Sequence, residues 1–318
     1  MNRHTPKLIQ LDAIDPGAQR TELVRGLAAT PASLSPKFFY DALGSRLFAA
    51  ITELPEYYLT RTEAAIFTRH AAEMAALAPA FTTLVDLGAG NCEKAGRLFD
   101  AFGVRRYLAI DISAAYLAES LELLQRHHPA VELFGIGMDF SSHLDLPRDA
   151  GDGPRLMFYP GSSIGNFTPD EALAFLRRIR EASRGGGLLI GVDLVKDVAR
   201  LEAAYDDALQ VTAAFNRNLL LHVNRLIASD FRLSDWRHLA RYDVSASRIE
   251  MHLEALRDLT VQWPGGGRRF AAGERIHTEN SYKWRAADFA ALLTLAGYSG
   301  IRRWTDEGED FAVFLAAA

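Results

Sequence analysis

Thr83-Leu-Val-Asp-Leu-Gly-Ala-Gly-Asn-Cys-Glu-Lys94 is the stretch that decides the fold. An apolar run reaches Asp86, turns through Gly88 and Gly90, and opens into a helical pattern. A second strand-like run, Tyr107-Leu-Ala-Ile-Asp111, follows and ends in an acidic residue. A parallel α/β sheet builds a nucleoside site from such a pair: a glycine-rich first turn, then a carboxylate for ribose hydroxyls at the end of the second strand. The spelling DxGxG, in place of GxGxxG, favours S-adenosylmethionine over a dinucleotide. It leaves the methyl acceptor unnamed.

Outward from this turn, short apolar strands alternate with amphipathic helices. Strands are predicted over 83–88, 106–112, 131–136, 155–160 and 187–194, and helices over 93–102, 114–127 and 169–183. That alternation predicts βαβ units and a parallel sheet. Gly185-Gly-Gly187 stops the last helix before the fifth strand. Upstream, Thr60-Arg-Thr-Glu63 reads as a capping box for a helix running to Leu77, after a break at Leu54-Pro-Glu-Tyr-Tyr58. Regularity is lost after Lys196. Helices are expected over 199–216 and 219–226, parted at Asn216-Arg-Asn218. Strands are expected over 248–255, 259–263 and 276–284, with Gly265-Gly-Gly267 as a loop. Helix 285–296, strand 301–306 and a return over 310–316 complete the sheet. The expected architecture is α/β: a Rossmann-like domain of residues 61–195 and 285–318, beside a second, α+β substrate-binding domain of residues 1–60 and 196–284.

A net charge of −5 and a pI near 6.0 argue against electrostatic binding of nucleic acid, which needs a basic face. The single cysteine, Cys92, excludes an internal disulfide and fits a reducing cytoplasm, and it is read as a small residue filling the glycine loop. Met1 to Pro16 has no apolar core of a signal peptide, and no apolar run is long enough to span a membrane. A cytoplasmic monomer with no membrane partner is the expectation. His127-His128 has no Cys or His partner at ligand spacing, so no metal site is expected.

Several side chains combine chemistry with position. Gly88 and Gly90 admit a ligand where a Cβ would collide, and Lys94 offers charge to the carboxylate of the methyl donor. Asp139-Phe140 follows the third strand, where adenine would lie; a helix cap and a core aromatic explain the same pair. Phe158-Tyr-Pro-Gly-Ser-Ser-Ile-Gly-Asn166 ends the fourth strand, where open α/β sheets bind ligands. Its small residues leave room, and Asn166 offers an uncharged donor and acceptor. In His277-Thr-Glu-Asn-Ser-Tyr-Lys-Trp284 a strand period places His277, Glu279, Ser281 and Lys283 on one face. A Glu beside a Ser there suits a ring with two nitrogens; a solvated polar face is the plain alternative. Tyr57, Tyr58 and Tyr205 are either amine-orienting hydroxyls or half-buried packing.

Seven motifs in order then resemble a known family: Ser35-Pro-Lys-Phe-Phe-Tyr-Asp-Ala-Leu-Gly-Ser45, Leu54-Pro-Glu-Tyr-Tyr58, Asp86-Leu-Gly-Ala-Gly-Asn-Cys-Glu-Lys94, Pro160-Gly-Ser-Ser-Ile-Gly-Asn166, Asp193-Leu-Val-Lys-Asp197, Ala213-Ala-Phe-Asn-Arg-Asn218 and Thr278-Glu-Asn-Ser281. Together they resemble the histidine Nα-methyltransferases of ergothioneine biosynthesis, from Ser35 to the C-terminus. The resemblance implies S-adenosylmethionine as methyl donor and three transfers to the α-amine of L-histidine, giving hercynine. It implies that Gly88, Lys94, Asp111, Asp139 and Phe140 contact the methyl donor, with Tyr40 beside it. It further implies that Tyr57 (or its neighbour Tyr58), Asn166, Tyr205, Glu279, Asn280 and Ser281 hold histidine, Asn166 and Tyr205 acting at the amine. Asn280 stands where some relatives carry an apolar residue. The alternatives are an N-methyltransferase for another aromatic amino acid or a modified histidine, and a non-catalytic protein that senses the methyl donor.

Overall fold

The computed structural model describes residues 4–11, 15–147 and 150–318. The N-terminal reading of Met1 to Pro16 therefore falls partly, at 1–3 and 12–14, outside the described residues. Two compact units emerge. One holds the N-terminal strand, Leu59–Val195 and Lys283–Ala318; the other holds the chain from the first helix to Tyr58, with Lys196–Tyr282.

The first unit is built on an eight-stranded sheet. Its strands are β1 (Lys7–Gln10), β3 (Thr83–Leu87), β4 (Arg106–Asp111), β5 (Glu132–Gly137), β6 (Arg155–Tyr159), β7 (Gly187–Asp193), β13 (Ser299–Thr305) and β14 (Phe311–Ala317). They run in the order β1-β5-β4-β3-β6-β7-β14-β13. The first six pair in parallel, and β14 enters antiparallel between β7 and β13. Strands β3, β6 and β7 are buried at every residue, which is why each is mostly apolar, with Asp86, Arg155 and Asp193 as buried exceptions. The strand order reverses between β3 and β6, so the carboxyl ends of β3, β4 and β6 border the crevice where such sheets bind ligands.

Helices α3 (Tyr58–Leu77), from Leu59 on, α4 (Glu93–Gly96), α5 (Phe99–Phe102), α6 (Ala114–His127), α7 (Pro169–Ala182) and α10 (Ala286–Leu295) belong to this unit. Helix α7 shows how sequence sets an element. Thr168 and Glu171 cap each other's backbone amides, Pro169 opens the first turn, and Ala172, Phe175, Leu176 and Ile179 bury one stripe.

The second unit contains α1 (Pro16–Ala28), β2 (Ala32–Ser33), α2 (Ala42–Thr52), α8 (Val198–Ala203), α9 (Val211–Ile227), β8 (Trp236–Asp243), β9 (Arg248–Ala255), β10 (Leu259–Trp263), β11 (Gly266–Phe270) and β12 (Arg275–Tyr282). A four-stranded sheet runs β2-β12-β9-β8, and β10 pairs with β11 alone. Phe39 stacks on Phe215 of α9 with ring centres 4.6 Å apart, and Phe48 joins them.

The α/β class and parallel sheet are as expected, and five details are corrected. Residues 1–60 do not all belong to the second unit, because β1 pairs with β5 of the large sheet. The helix expected over 93–102 is two single turns, α4 and α5. The helical stretch expected over 199–216 breaks earlier, after Ala203, and Asn216-Arg-Asn218 lies inside α9. Both asparagines are buried there, with Asn216 donating to His238 Nδ1 and Asn218 to Asp41. The loop expected at Gly265-Gly-Gly267 runs into strand β11, and β8 went unread.

Candidate active site

At the head of β3 the chain turns with φ of 75° at Gly88 and 53° at Gly90, conformations open to glycine and costly to other residues. The Gly88 and Ala89 amides both donate to the Ile110 carbonyl, and the Gly90 amide donates to Asp111 Oδ2 at 2.9 Å. The turn is thus stitched to the end of β4. A Cβ on Gly90 would meet no atom within 4 Å, so the turn borders open space. A Cβ on Gly88 would lie 3.6 Å from the Phe140 ring. Gly88, Asp111 and Phe140 therefore sit together. Their cradle fits a nucleoside: room at the turn, an acceptor for hydroxyls, and a flat apolar wall.

Asp111 Oδ1 also accepts from the Ser113 amide at 2.9 Å, and burial raises its carboxyl above the ordinary range. Each oxygen keeps acceptor capacity beyond these bonds. Asp139 Oδ1 accepts from the Ser141 amide and hydroxyl, so it organises its own turn, and residues 140–147 after it form no helix for it to cap. Phe140 packs edge-on to Tyr159 and against Phe175. Beneath the turn Asp86 accepts from the Tyr107 hydroxyl at 2.7 Å, and burial pushes its carboxyl up to about 7. Burial likewise drives the Cys92 thiol upward, leaving it protonated and consistent with a packing role.

Lys94 Nζ lies 2.7 Å from Glu63 Oε2 while a third of the lysine side chain stays exposed. Glu63 Oε1 accepts from the Gly161 amide at 2.7 Å. The capping box expected at Thr60-Arg-Thr-Glu63 is therefore absent: α3 starts at Tyr58, and the Glu63 carboxylate is buried in these two contacts. Sequence reasoning missed Glu63, because the same letters spell a helix start. In the loop after β6, Ser162 takes φ of 60° and its hydroxyl accepts from the Asp193 amide at 2.8 Å. Asp193 in turn pairs with Lys283 at 2.7 Å, both fully buried. The half-buried Asn166 ends the short 3₁₀ turn Ser163–Asn166 that follows.

In the second unit Tyr57, Tyr205 and Ser281 meet, and Glu279 lies two residues before Ser281 on the same face of β12. The Tyr205 hydroxyl is 2.7 Å from Ser281 Oγ, and the Tyr57 and Tyr205 rings meet edge-on at 6.2 Å. All four are buried, Glu279 to 8% exposure. The hydroxyl of the adjacent Tyr58 accepts from Lys196 Nζ, and Arg200 lies over its ring. Tyr40 packs edge-on to Phe48 and Phe215 in the unit's aromatic cluster.

The single face expected for His277, Glu279, Ser281 and Lys283 is interrupted. A bulge at Thr278 shifts the register, pairing His277 with His252 but Glu279 with Met251. His277 then shares its face with Asn280, donating from Nε2 to Oδ1 at 2.9 Å. Asn280 thus turns away from Glu279 and Ser281, and Lys283 belongs to the other unit. Behind Tyr205 stands a second residue the sequence did not flag. His238 Nε2 donates to the Tyr205 carbonyl and its Nδ1 accepts from Asn216, and burial lowers its proton affinity, keeping it neutral. Its signal was the alternation of Trp236, His238 and Ala240 with outward Arg237 and Arg241.

Among the described residues no group of three or more His, Cys, Asp or Glu is arranged to hold a metal ion. Nor is any helix long and apolar enough to cross a membrane.

Comparison with known proteins identifies the family. The family model described as histidine-specific methyltransferase, SAM-dependent, matches residues 19–318. A histidine N-alpha-methyltransferase of Mycobacterium tuberculosis is 44% identical, covering 94% of this chain and 95% of that protein. Ergothioneine biosynthesis protein 1 of Neurospora crassa is 31% identical over 90% of this chain, which spans 33% of that longer protein. Among solved structures, an amino pentose methyltransferase from Micromonospora echinaspora with S-adenosylmethionine bound matches 87% of this chain and 97% of its own, at 15% identity and a TM-score of 0.42. The chain belongs to the histidine-specific, S-adenosylmethionine-dependent methyltransferase family.

Proposed function

We propose that this protein transfers three methyl groups in succession from S-adenosylmethionine to the α-amino nitrogen of L-histidine, giving hercynine for ergothioneine synthesis. The observation that carries the acceptor is the buried polar group of Glu279 and Ser281 with Tyr205. An acid that accepts and a hydroxyl that donates, two residues apart on one strand, match the two nitrogens of an imidazole; an indole uses only one acceptor. We assign Tyr57 and not Tyr58 to this group, since Tyr57 is the one that packs on Tyr205. Asn280 is assigned to shaping β12 and not to substrate contact.

S-adenosylmethionine, when bound, supplies an electrophilic methyl group on a sulfonium. The residues of the first unit bind it in this reading: Gly88 and Asp111 the nucleoside, Asp139 and Phe140 the adenine, Lys94 the carboxylate. Tyr40 is retained as a further contact with it. Asn166 and Tyr205 orient the amine so that its lone pair points at the methyl carbon; such alignment supplies much of the rate. The amine nitrogen forms the new bond as the carbon–sulfur pair stays with sulfur, and the displaced proton passes to water. The amine presents fewer N–H groups after each transfer. An amide and a phenol both donate and accept, so each tolerates that change. The reading includes a cytoplasmic monomer, a setting in which Cys92 stays a thiol.

Incubation with S-adenosylmethionine and, separately, L-histidine, L-tryptophan and L-tyrosine tests the proposal by product mass. The expected result is mono-, di- and trimethylated histidine. Methylation of another amino acid with histidine untouched would overturn it, and no product from any would leave a binding protein.

A further inference from the structure

We propose that Glu63 is a positioning residue for the methyl donor: it holds the Lys94 ammonium where the donor's carboxylate binds and fixes the loop that leads to Asn166. The inference rests on the reading that Lys94 meets that carboxylate. Glu63 lies early in α3 and is 1% exposed. Each oxygen has a different task, Oε2 taking Lys94 Nζ and Oε1 the Gly161 amide, both at 2.7 Å.

The surroundings are cut to fit this carboxylate. A Cβ on Gly191 of β7 would stand 2.0 Å from Glu63 Oε1, so only glycine there admits the acid. A Cβ on Gly161 would stand 3.1 Å from Lys94 Nζ, so a second glycine lets the ammonium lie against the loop. The pair is also asymmetric. Glu63 is sealed off, whereas the Lys94 side chain is 34% exposed. The open ammonium keeps part of its hydration and stays within reach of a ligand. An ammonium anchored from behind keeps two of its three N–H groups for an incoming anion. The Gly161 contact ties the same anchor to the next turn, where the Ser162 hydroxyl receives the Asp193 amide.

Calorimetric titration of the full chain with S-adenosylhomocysteine and with 5′-methylthioadenosine separates the possibilities. The two ligands share the nucleoside and differ in the amino-acid group. Lys94→Met is expected to weaken S-adenosylhomocysteine roughly tenfold or more, the usual effect of losing a charge-assisted hydrogen bond. It should leave methylthioadenosine unchanged. An unchanged S-adenosylhomocysteine affinity would refute the Lys94 reading itself. Glu63→Gln can accept from only one of its two partners and turns an NH₂ toward the other. It is expected to lose roughly tenfold for S-adenosylhomocysteine with methylthioadenosine unchanged. Loss in Lys94→Met without loss in Glu63→Gln overturns the inference alone. Equal loss of both ligands in Glu63→Gln marks a structural role and overturns it too. Should that variant not fold, Glu63→Asp keeps the charge, falls one methylene short of spanning both partners, and is read by the same criteria.

Discussion

Asp86→Asn tests the electrostatics beneath the glycine turn. Asp86 is 1% exposed in β3; its Oδ2 accepts from Tyr107, and its buried Oδ1 has no hydrogen-bond partner. Burial is the main cause of its shift from 3.8 to about 7; Tyr107 and Lys94 oppose it, and Asp111 and Glu63 add to it. The folded chain therefore holds this proton more tightly than the unfolded chain. Stability falls as pH rises from 3.8 to about 7, and stays at the lower level above that. At about 1.4 kcal/mol for each tenfold step in proton affinity, the full cost is at most about 4 kcal/mol.

Asparagine cannot ionise, and its carbonyl oxygen still accepts from Tyr107. Near pH 4 the wild type is itself neutral at this site, so the two proteins should differ little. By about pH 8 the variant should be the more stable, by up to about 4 kcal/mol. The two units need not unfold together, so amide hydrogen exchange within β3 and β4, followed across that range, is the appropriate measurement. A difference that does not change with pH would refute the reasoning. So would a wild type that gains on the variant as pH rises.

Three further outcomes follow from the proposed site. Glu279→Ala should raise the KM for histidine about tenfold to a hundredfold, the value of a hydrogen bond to a charged group, and leave S-adenosylhomocysteine affinity intact; equal loss of both would remove Glu279 from the histidine site. Asn166→Ala should lower kcat about a hundredfold through misplacement of the amine while binding of the methyl donor persists, and full activity would end its assignment. Tyr205→Phe and Ser281→Ala, alone and combined, should show a coupling of about 1 kcal/mol in histidine binding, and additive effects would mean that their hydrogen bond plays no part there.

What could be read in the sequence followed burial. Strands β3 to β7 were legible to within a residue or so at most ends, because strands covered on both faces carry an apolar side chain almost everywhere. Gly88, Asp111 and Phe140 were legible as neighbours because the topology of a parallel sheet places the ends of its strands together. Elements whose reason lies in distant partners were not. Lys7-Leu-Ile-Gln10 is too short and polar to announce a strand, and exists through its ladder with Phe134 to Gly137. Asn216 and Asn218 suggest a helix break by local preference, yet each is held inside α9 by partners far along the chain. Glu63 is the sharpest case, since its local pattern and its tertiary environment predict opposite fates for one carboxylate.

The bulge in β12 shows what such a hidden feature does to chemistry. With a strict period of two, His277 would join Glu279 and Ser281, and a titratable ring would stand beside the acid proposed to hold imidazole. The extra residue at Thr278 removes it. His277 instead faces Asn280, His252 and Glu250, where His252 donates to Glu250 and Arg248 completes the network. Burial lowers the proton affinity of both histidines, so two neutral rings occupy that face. The opposite face keeps one acid, one hydroxyl and the Tyr205 phenol. A group built to recognise an imidazole gains from excluding imidazoles of its own, which would compete for the same carboxylate. One inserted residue accomplishes that separation, and alternation alone could not reveal it.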